Sequence, residues 1–306
     1  MSDEVKFQFD IYQRRFQHPL RTSHGIWRIR EGIIVKLTNK AGIVTQGEIA
    51  PLPWFGSETM DRAIEFCQQR KGYIDQAAIN LIPNSLPCCQ FALKSAWLNL
   101  DQDPLVNQTR DLDYCYLLPA GEQALVTGKH LHQTQSASTF KWKIGVYPLT
   151  EEIEVLQQLT NIFPTDIKLR LDANGGLNLS QAHQLLSTTD HLQGIEFIEQ
   201  PLPPNSFVDI LQLSQEHSTP LALDESVASF SQLQFAHQQG WQGVYVVKAA
   251  IMGFPDRLVQ FCQEQGLDVV FSSVFETEVG REAILRMAQS LPHPRAVGFG
   301  VQHLFK

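Results

Sequence analysis

The chain has 306 residues, 43% of them hydrophobic, which is enough for one α/β barrel or two smaller domains around a large buried core. A formal net charge of -8 lacks the basic footprint of a nucleic-acid binder, so phosphate-backbone partners are not expected. Five cysteines without C-x-x-C spacing, an acidic start at Met1-Ser2-Asp3-Glu4 and no apolar window approaching about eighteen residues argue against a disulfide scaffold, a secretory signal and a membrane span. The expectation is a cytoplasmic protein with reduced thiols; the sequence sets no oligomeric state.

Residues 5–50 alternate with a two-residue period, with Val5, Phe7 and Phe9 on one face. Ile33 to Leu37 and Gly42 to Ile49 predict a hairpin turning over Asn39-Lys40-Ala41-Gly42. Two loops separate or follow these strands: the polar stretch 21–25, with Arg21, Thr22, Ser23 and His24, and the aromatic stretch 51–56, with Trp54 and Phe55 among prolines and glycine. Ser57 reads as a helix N-cap before Met60, Ala63, Ile64 and Cys67, and Phe91, Leu93, Ala96, Trp97 and Leu100 predict a second helix from about Pro87. The expectation is an α+β capping domain over 1–105.

From Tyr114 the pattern changes to strand–helix alternation. Strands are predicted at Tyr114–Leu118, Phe140–Ile144, Ile167–Asp172, Ile195–Glu199, Leu221–Asp224, Val244–Lys248, Asp268–Ser273 and Ala296–Gly300. From the second to the sixth they recur at roughly 24–29 residues, the length that one parallel strand, a helix and two short loops require. A helix over Thr150–Phe163 buries Ile153, Leu156, Leu159 and Phe163, and Ser180, Ser206 and Ser231 read as the starts of the next three. The fold class is α/β: a (β/α)7β TIM-like barrel over 106–300 behind the N-terminal cap, with a tail at 301–306.

Five of these strands end in charge: Lys141-x-Lys143, Asp172, Glu199, Asp224 and Lys248. Strand side chains alternate, so Lys141 and Lys143 face one way, as do Lys168, Arg170 and Asp172. Neither the helix layer nor the barrel interior accepts unpaired charge cheaply, which favours the C-terminal mouth, where barrel enzymes build their sites. Asp172, Glu199 and Asp224 would converge there and repel unless protons or a cation intervene, and an oxygen-only set suits Mg²⁺, with Mn²⁺ as a substitute. Taken singly, Asp172 before Ala-Asn-Gly-Gly reads equally as a turn former and Asp224 as a helix cap. Two lysines on one strand face repel, which with burial should lower a lysine pKa and make it a usable base; a Schiff-base lysine is the rival use. His130-x-His132 reads as a solvated helix surface.

Lys141-x-Lys143, Asp172-Ala-Asn-Gly, Glu199-Gln-Pro, Asp224-Glu-Ser and Lys248 together resemble the enolase superfamily, in its muconate-lactonizing subgroup. The resemblance covers essentially the whole chain. Within the subgroup the short length, Arg170 two residues before Asp172 and Ser272-Ser273 are similar to the dehydratases of menaquinone and phylloquinone biosynthesis. It implies a small carboxylate substrate, Mg²⁺ on Asp172, Glu199 and Asp224, and Lys143 as the base that removes the α-proton through an enediolate. Lys141 would tune Lys143, and Lys248 would stabilise developing charge from the opposite face. Asn174 and Glu225 are implied beside the metal ligands, with turn or cap roles equally open. Arg170, Ser272, Ser273, Gly298 and loop residues Arg21, Ser23 and His24 are candidate substrate contacts, and both cap loops would close over the mouth. Acylamino acid racemases use the same two lysines, and nothing comparably sharp separates them from the dehydratases. Dipeptide epimerases carry Asp-x-Asp where this chain has Gly298-Phe299-Gly300-Val301-Gln302, which counts against them. A catalytically inactive relative would have lost a ligand or a lysine, and none is lost.

Overall fold

The computed structural model describes residues 4–22, 25–70, 72–100, 112–135, 137–292, 295–301 and 304–305, with the backbone alone at 21, 22 and 135. The alternation that starts at Val5 runs through β1 (Val5–Thr22) and returns in β2 (Gly25–Thr38), so that Arg21 lies opposite Ile26 and Thr22 opposite Gly25. The expected loop at 21–25 is therefore the end of a long hairpin with Arg21 and Thr22 already in strand. A break in register between Arg15 and Leu20 is of the kind that bends a ribbon. β3 (Val44–Ile49) pairs with β2 across the expected turn, where Asn39 Oδ1 accepts from Ala41 and Ile43, and the short β4 (Gly72–Ile74) adds to β1.

Helix α1 (Met60–Gln69) is capped by Thr59, whose side chain accepts from Arg62 N. Ser57 was the expected cap; its hydroxyl instead accepts from Leu52 N and ties down the 51–56 loop. After α2 (Gln76–Asn80), helix α3 (Pro87–Leu98) is buried nearly all round, and its first turn is held by the buried Glu58 carboxylate, which accepts from Cys88 N and Cys89 N. The helix lies hard against β3: a Cβ added at Gly47 would stand 2.0 Å from Ala92 O, so only glycine permits that approach.

The barrel strands are β5 (Tyr114–Leu118), β6 (Thr139–Lys143), β7 (Lys168–Asp172), β8 (Ile195–Glu199), β9 (Leu221–Leu223), β10 (Val244–Val247), β11 (Val269–Phe271) and β12 (Val297–Gly300). They pair in parallel in the order β11-β10-β9-β8-β7-β6-β5-β12, and a Ser272–Gly298 bridge closes the seam. Seven helices intervene: α4 (Gln123–Gln135), α5 (Leu149–Ile162), α6 (Leu179–Thr189), α7 (Phe207–Glu216), α8 (Phe230–Gln238), α9 (Pro255–Glu264) and α10 (Glu278–Gln289). Two caps sit two residues earlier than expected. Asn178 forms a capping box with Gln181 in place of Ser180, and Ser229 caps α8 in place of Ser231. Ser206 begins α7 without a side-chain bond.

The barrel interior has its own small core of Phe197, Ala222, Val244, Val246 and Val270, separate from the large core between strands, helices and cap. Below it Arg170 Nε donates to Glu196 Oε2 at 2.6 Å, and Arg295 binds Glu196 and Asp268, each contact at 2.6 Å. These groups plug the floor with paired charge, and the C-terminal mouth is left to carry the remaining charged side chains. Among the described residues no helix is long and apolar enough to cross a membrane.

Candidate active site

The parallel register sets the height of the charges. Lys143, Asp172 and Glu199 are Cα partners along β6, β7 and β8, and Glu199 pairs with Ala222, two residues before Asp224. Lys248 follows β10. In the closed ring β6 and β10 stand four strands apart in either direction, so Lys143 and Lys248 face each other across the mouth with the three acids between them. All six charged groups line one cavity of about 450 Å³, roofed by Leu52, Trp54 and Phe55 of the cap and by Leu20 and Trp27 near the hairpin end. That volume suits a small organic ligand.

The acids are buried and close. Lys141 Nζ lies 2.8 Å from both Asp172 Oδ2 and Glu199 Oε1, and Lys248 Nζ bonds Asp224 Oδ1. Burial first, then the charges of Asp172 and Asp224, push Glu199 up to about 8 against the opposing pull of Lys141. Burial disfavours the Lys141 cation, but Asp172, Glu199 and Asp224 outweigh it and hold its pKa well above the ordinary value. At Lys141, therefore, the three carboxylates outweigh burial, and no lowering is found there. Lys143 is exposed at the mouth and makes no ion pair with any described residue.

Carboxylates this crowded, with two ammonium groups drawn onto them and no sulfur or imidazole in the set, fit a hard divalent cation. Asp172, Glu199 and Asp224 are the residues that would hold it. Asn174, at φ 44°, donates from Nδ2 to Glu225 Oε1 at 3.1 Å, and its backbone N–H donates to Asp172 Oδ1, so it bridges the two acids. Burial and then Asp224 push Glu225 up to about 7.

Two positioning residues escaped the sequence reading. Buried Gln200, at φ 40°, accepts on Oε1 from Asp224 N and Ser226 N and donates to Leu202 O, which locks the end of β8 to the turn carrying Asp224. The only sequence signal was a polar residue between a strand-end acid and a proline. Glu152, in the first turn of α5, accepts from the backbone N–H groups of Gly145, Val146 and Tyr147 and so fixes the loop that follows Lys143. An acid beside an apolar stripe gives no such warning.

Arg170, Ser272, Ser273 and Gly298 all line the cavity, with different attachments. Arg170 lies under the acids, with Nε on Glu196 and Nη1 on Ala296 O, so it does not tie down Asp172; its Nη2 has no hydrogen-bond partner among the described residues. Ser273 Oγ donates to Glu276 and accepts from Phe275 N, while Ser272 and Gly298 line the cavity side by side. A Cβ at Gly298 would come within 3.1 Å of Ser272 Oγ, a tight contact. Ser23, His24 and the Arg21 side chain lie outside the described residues. Trp54 and Phe55 reach the cavity, and the Phe55 ring centroid is 4.0 Å from Lys248 Nζ, a cation–π contact from cap to barrel.

Cap and barrel are also joined through buried acids. Glu48 accepts from Tyr12 OH and from Thr277 and Gly280 N–H groups, and burial followed by the nearby Glu48 pushes Glu276 up to about 7. The folded protein therefore holds the Glu276 proton more tightly than the unfolded chain, whose ordinary value is 4.5. That stability is present below about 4.5 and lost as pH rises to about 7, on the order of 3 kcal/mol. Denaturant titrations at about pH 5 and pH 8 should show wild type losing more stability than Glu276→Gln; equal losses would refute this coupling.

The comparisons agree with this geometry. Residues 127–304 match the family model described as Enolase C-terminal domain-like, and residues 13–100 match the MenC N-terminal domain. The chain belongs to the enolase superfamily. Within it, the chain is 39% identical to the o-succinylbenzoate synthase of Thermosynechococcus vestitus, over 97% of this chain and 92% of that protein. The crystal structure of the o-succinylbenzoate synthase of Thermosynechococcus elongatus BP-1, with magnesium in its active site, superposes with a TM-score of 0.92 at 38% identity, covering 98% of this chain and 94% of that one. The L-Ala-D/L-Glu epimerase of Bacillus subtilis superposes with a TM-score of 0.81 at 21% identity, covering 99% and 91%, which shows the shared enolase-superfamily fold alone.

Proposed function

We propose that the chain catalyses the o-succinylbenzoate synthase reaction, the Mg²⁺-dependent syn-dehydration of 2-succinyl-6-hydroxy-2,4-cyclohexadiene-1-carboxylate in menaquinone or phylloquinone biosynthesis. The observation that carries the reading is the opposed pair Lys143 and Lys248 with three acids between them, in a chain 39% identical to a curated synthase.

Asp172, Glu199 and Asp224 would hold Mg²⁺, which when bound would supply positive charge to the substrate carboxylate. Lys143, untethered at the mouth, accepts the proton α to that carboxylate. Its ammonium then returns a proton to the β-hydroxyl on the same face, so water leaves syn and the ring becomes aromatic. Lys248 meets the charge that develops on the opposite face, and Phe55 helps keep its ammonium there. Lys141 balances Asp172 and Glu199 beneath. Ser272 and Gly298 border the substrate, and Arg21, Ser23 and His24 are assigned to it on sequence grounds. The reaction belongs to the cytoplasm.

Purified chain supplied with this cyclohexadiene and Mg²⁺ is expected to form o-succinylbenzoate, followed by chromatography of the product. EDTA should abolish turnover, and Mg²⁺ or Mn²⁺ should restore it. Turnover that persists after exhaustive chelation would sink the metal assignment, and absence of product with metal present would sink the function.

A further inference from the structure

At the far end of the barrel a second polar cluster joins α6 to α7. Asp190 and His217 are the C-cap residues of these helices and lead into β8 and β9, so they lie at the strands' N-terminal end, opposite the mouth. His217 Nδ1 is 2.8 Å from Asp190 Oδ2, and Asp190 Oδ1 accepts from Ser218 N, Thr219 N and both their hydroxyls. This carboxylate has no proton to give, so His217 donates from Nδ1 and its Nε2 lone pair is directed outward. That lone pair meets His183 Nδ1 at 3.1 Å, and one ligand atom each from His183, Glu216 and His217 lie within 4.8 Å of one another.

We infer that His183, His217 and Glu216 form a second metal site, for a borderline divalent ion of the Zn²⁺ type, distinct from the acid cluster at the mouth. Two imidazoles and one carboxylate are the donors such ions prefer, whereas Mg²⁺ prefers oxygen alone. The carboxylate behind His217 fixes its tautomer and ring orientation, the arrangement that metal-binding histidines use. In the metal-free protein one proton sits between the two ring nitrogens. On binding, the ion takes the place of that proton, which is exchanged through solvent to His183 Nε2, so that both rings coordinate as neutral imidazoles. Bonds of about 2.0–2.2 Å to nitrogen and oxygen set neighbouring donors roughly 3.3 Å apart. The facing nitrogens, now 3.1 Å apart, therefore need a small shift and a turn of the exposed His183 ring, and the exposed Glu216 carboxylate, now 3.9 Å from His183 Nε2, swings in. His183 and Glu216 are each 43% exposed, so the ion has an entry path and a water can complete four-coordination. His217 is only 10% exposed and provides the rigid anchor. The ion would tie the body of α6 to the C-terminal end of α7 and stabilise the barrel without touching the catalytic groups.

The test is calorimetric titration of Zn²⁺ into the full chain held in saturating Mg²⁺, for wild type, His183→Gln and Glu216→Gln. Wild type is expected to take up one more equivalent at micromolar Zn²⁺ than His183→Gln, with Glu216→Gln binding more weakly. Binding only to the folded state should raise Tm by several degrees in wild type and not in His183→Gln. Because His183 is half exposed and carries no core packing, its variant should fold and keep its Mg²⁺-dependent turnover. Co²⁺ as probe should give visible ligand-field bands that the His183 variant lacks. Equal Zn²⁺ stoichiometry in wild type and His183→Gln, or saturation only at millimolar Zn²⁺, would overturn the site and leave a hydrogen-bonded histidine pair.

Discussion

Replacing Lys143 by alanine should abolish proton transfer from the substrate, lowering kcat for o-succinylbenzoate formation by at least ~10²–10⁴-fold, the usual contribution of a positioned acid–base group. The side chain is exposed and makes no ion pair with a described residue, so its loss strands no buried charge and the fold should survive. That separates a chemical defect from a structural one: denaturation midpoint and Mg²⁺ affinity should stay close to wild type while turnover collapses. Exchange of the substrate α-proton with solvent deuterium gives the direct readout, because exchange needs only the first proton step. Should Lys143→Ala still exchange that proton while Lys248→Ala does not, the two faces are assigned the wrong way round.

The strand ends were legible because buried parallel strands are apolar runs, and a charge at the end of such a run stands out. Glu199 and Asp224 each closed a largely apolar segment and Asp172 an alternating one, and the recurrence of those segments fixed the ring order that sets Lys143 opposite Lys248. The barrel and its cap followed from the change of period between Ile49 and Tyr114. What the sequence hid were contacts made by one side chain to distant backbone. Gln200 and Glu152 look like ordinary polar residues until the loops they hold are folded against them. The ion-pair partner of Arg170 was hidden for a related reason. Arg170 shares a strand face with Asp172, but one layer lower its partner is Glu196, shifted inward by a register break between β7 and β8. The caps were missed by two residues because several serines and asparagines lie close together, and which one folds back depends on the preceding loop. The long hairpin was missed because a polar stretch ending in glycine reads as a loop even when cross-strand pairing continues to its tip.

Lys248 separates dehydration from racemisation. Its ammonium is bonded to Asp224 and covered by the Phe55 ring, so Lys248→Ala removes a cation from among three acids as well as from the substrate's far face. Loss of one such preorganised charge should lower dehydration by roughly 10²–10³-fold. Arginine keeps the charge and the donors but cannot give up its proton near neutral pH. Lys248→Arg should therefore retain part of the dehydratase activity, since syn-elimination needs a base on the Lys143 face alone. Racemisation of an N-succinylamino acid needs a base on each face, so any such activity should vanish in Lys248→Arg as it does in Lys248→Ala. The measurement is the ratio of the two activities in the arginine variant. Equal loss of both would mean that Lys248 acts as an acid or base in dehydration too, and the single-base mechanism would fall. If neither Lys143→Ala nor Lys248→Ala lost dehydration, the synthase reading itself would fail while the barrel stood.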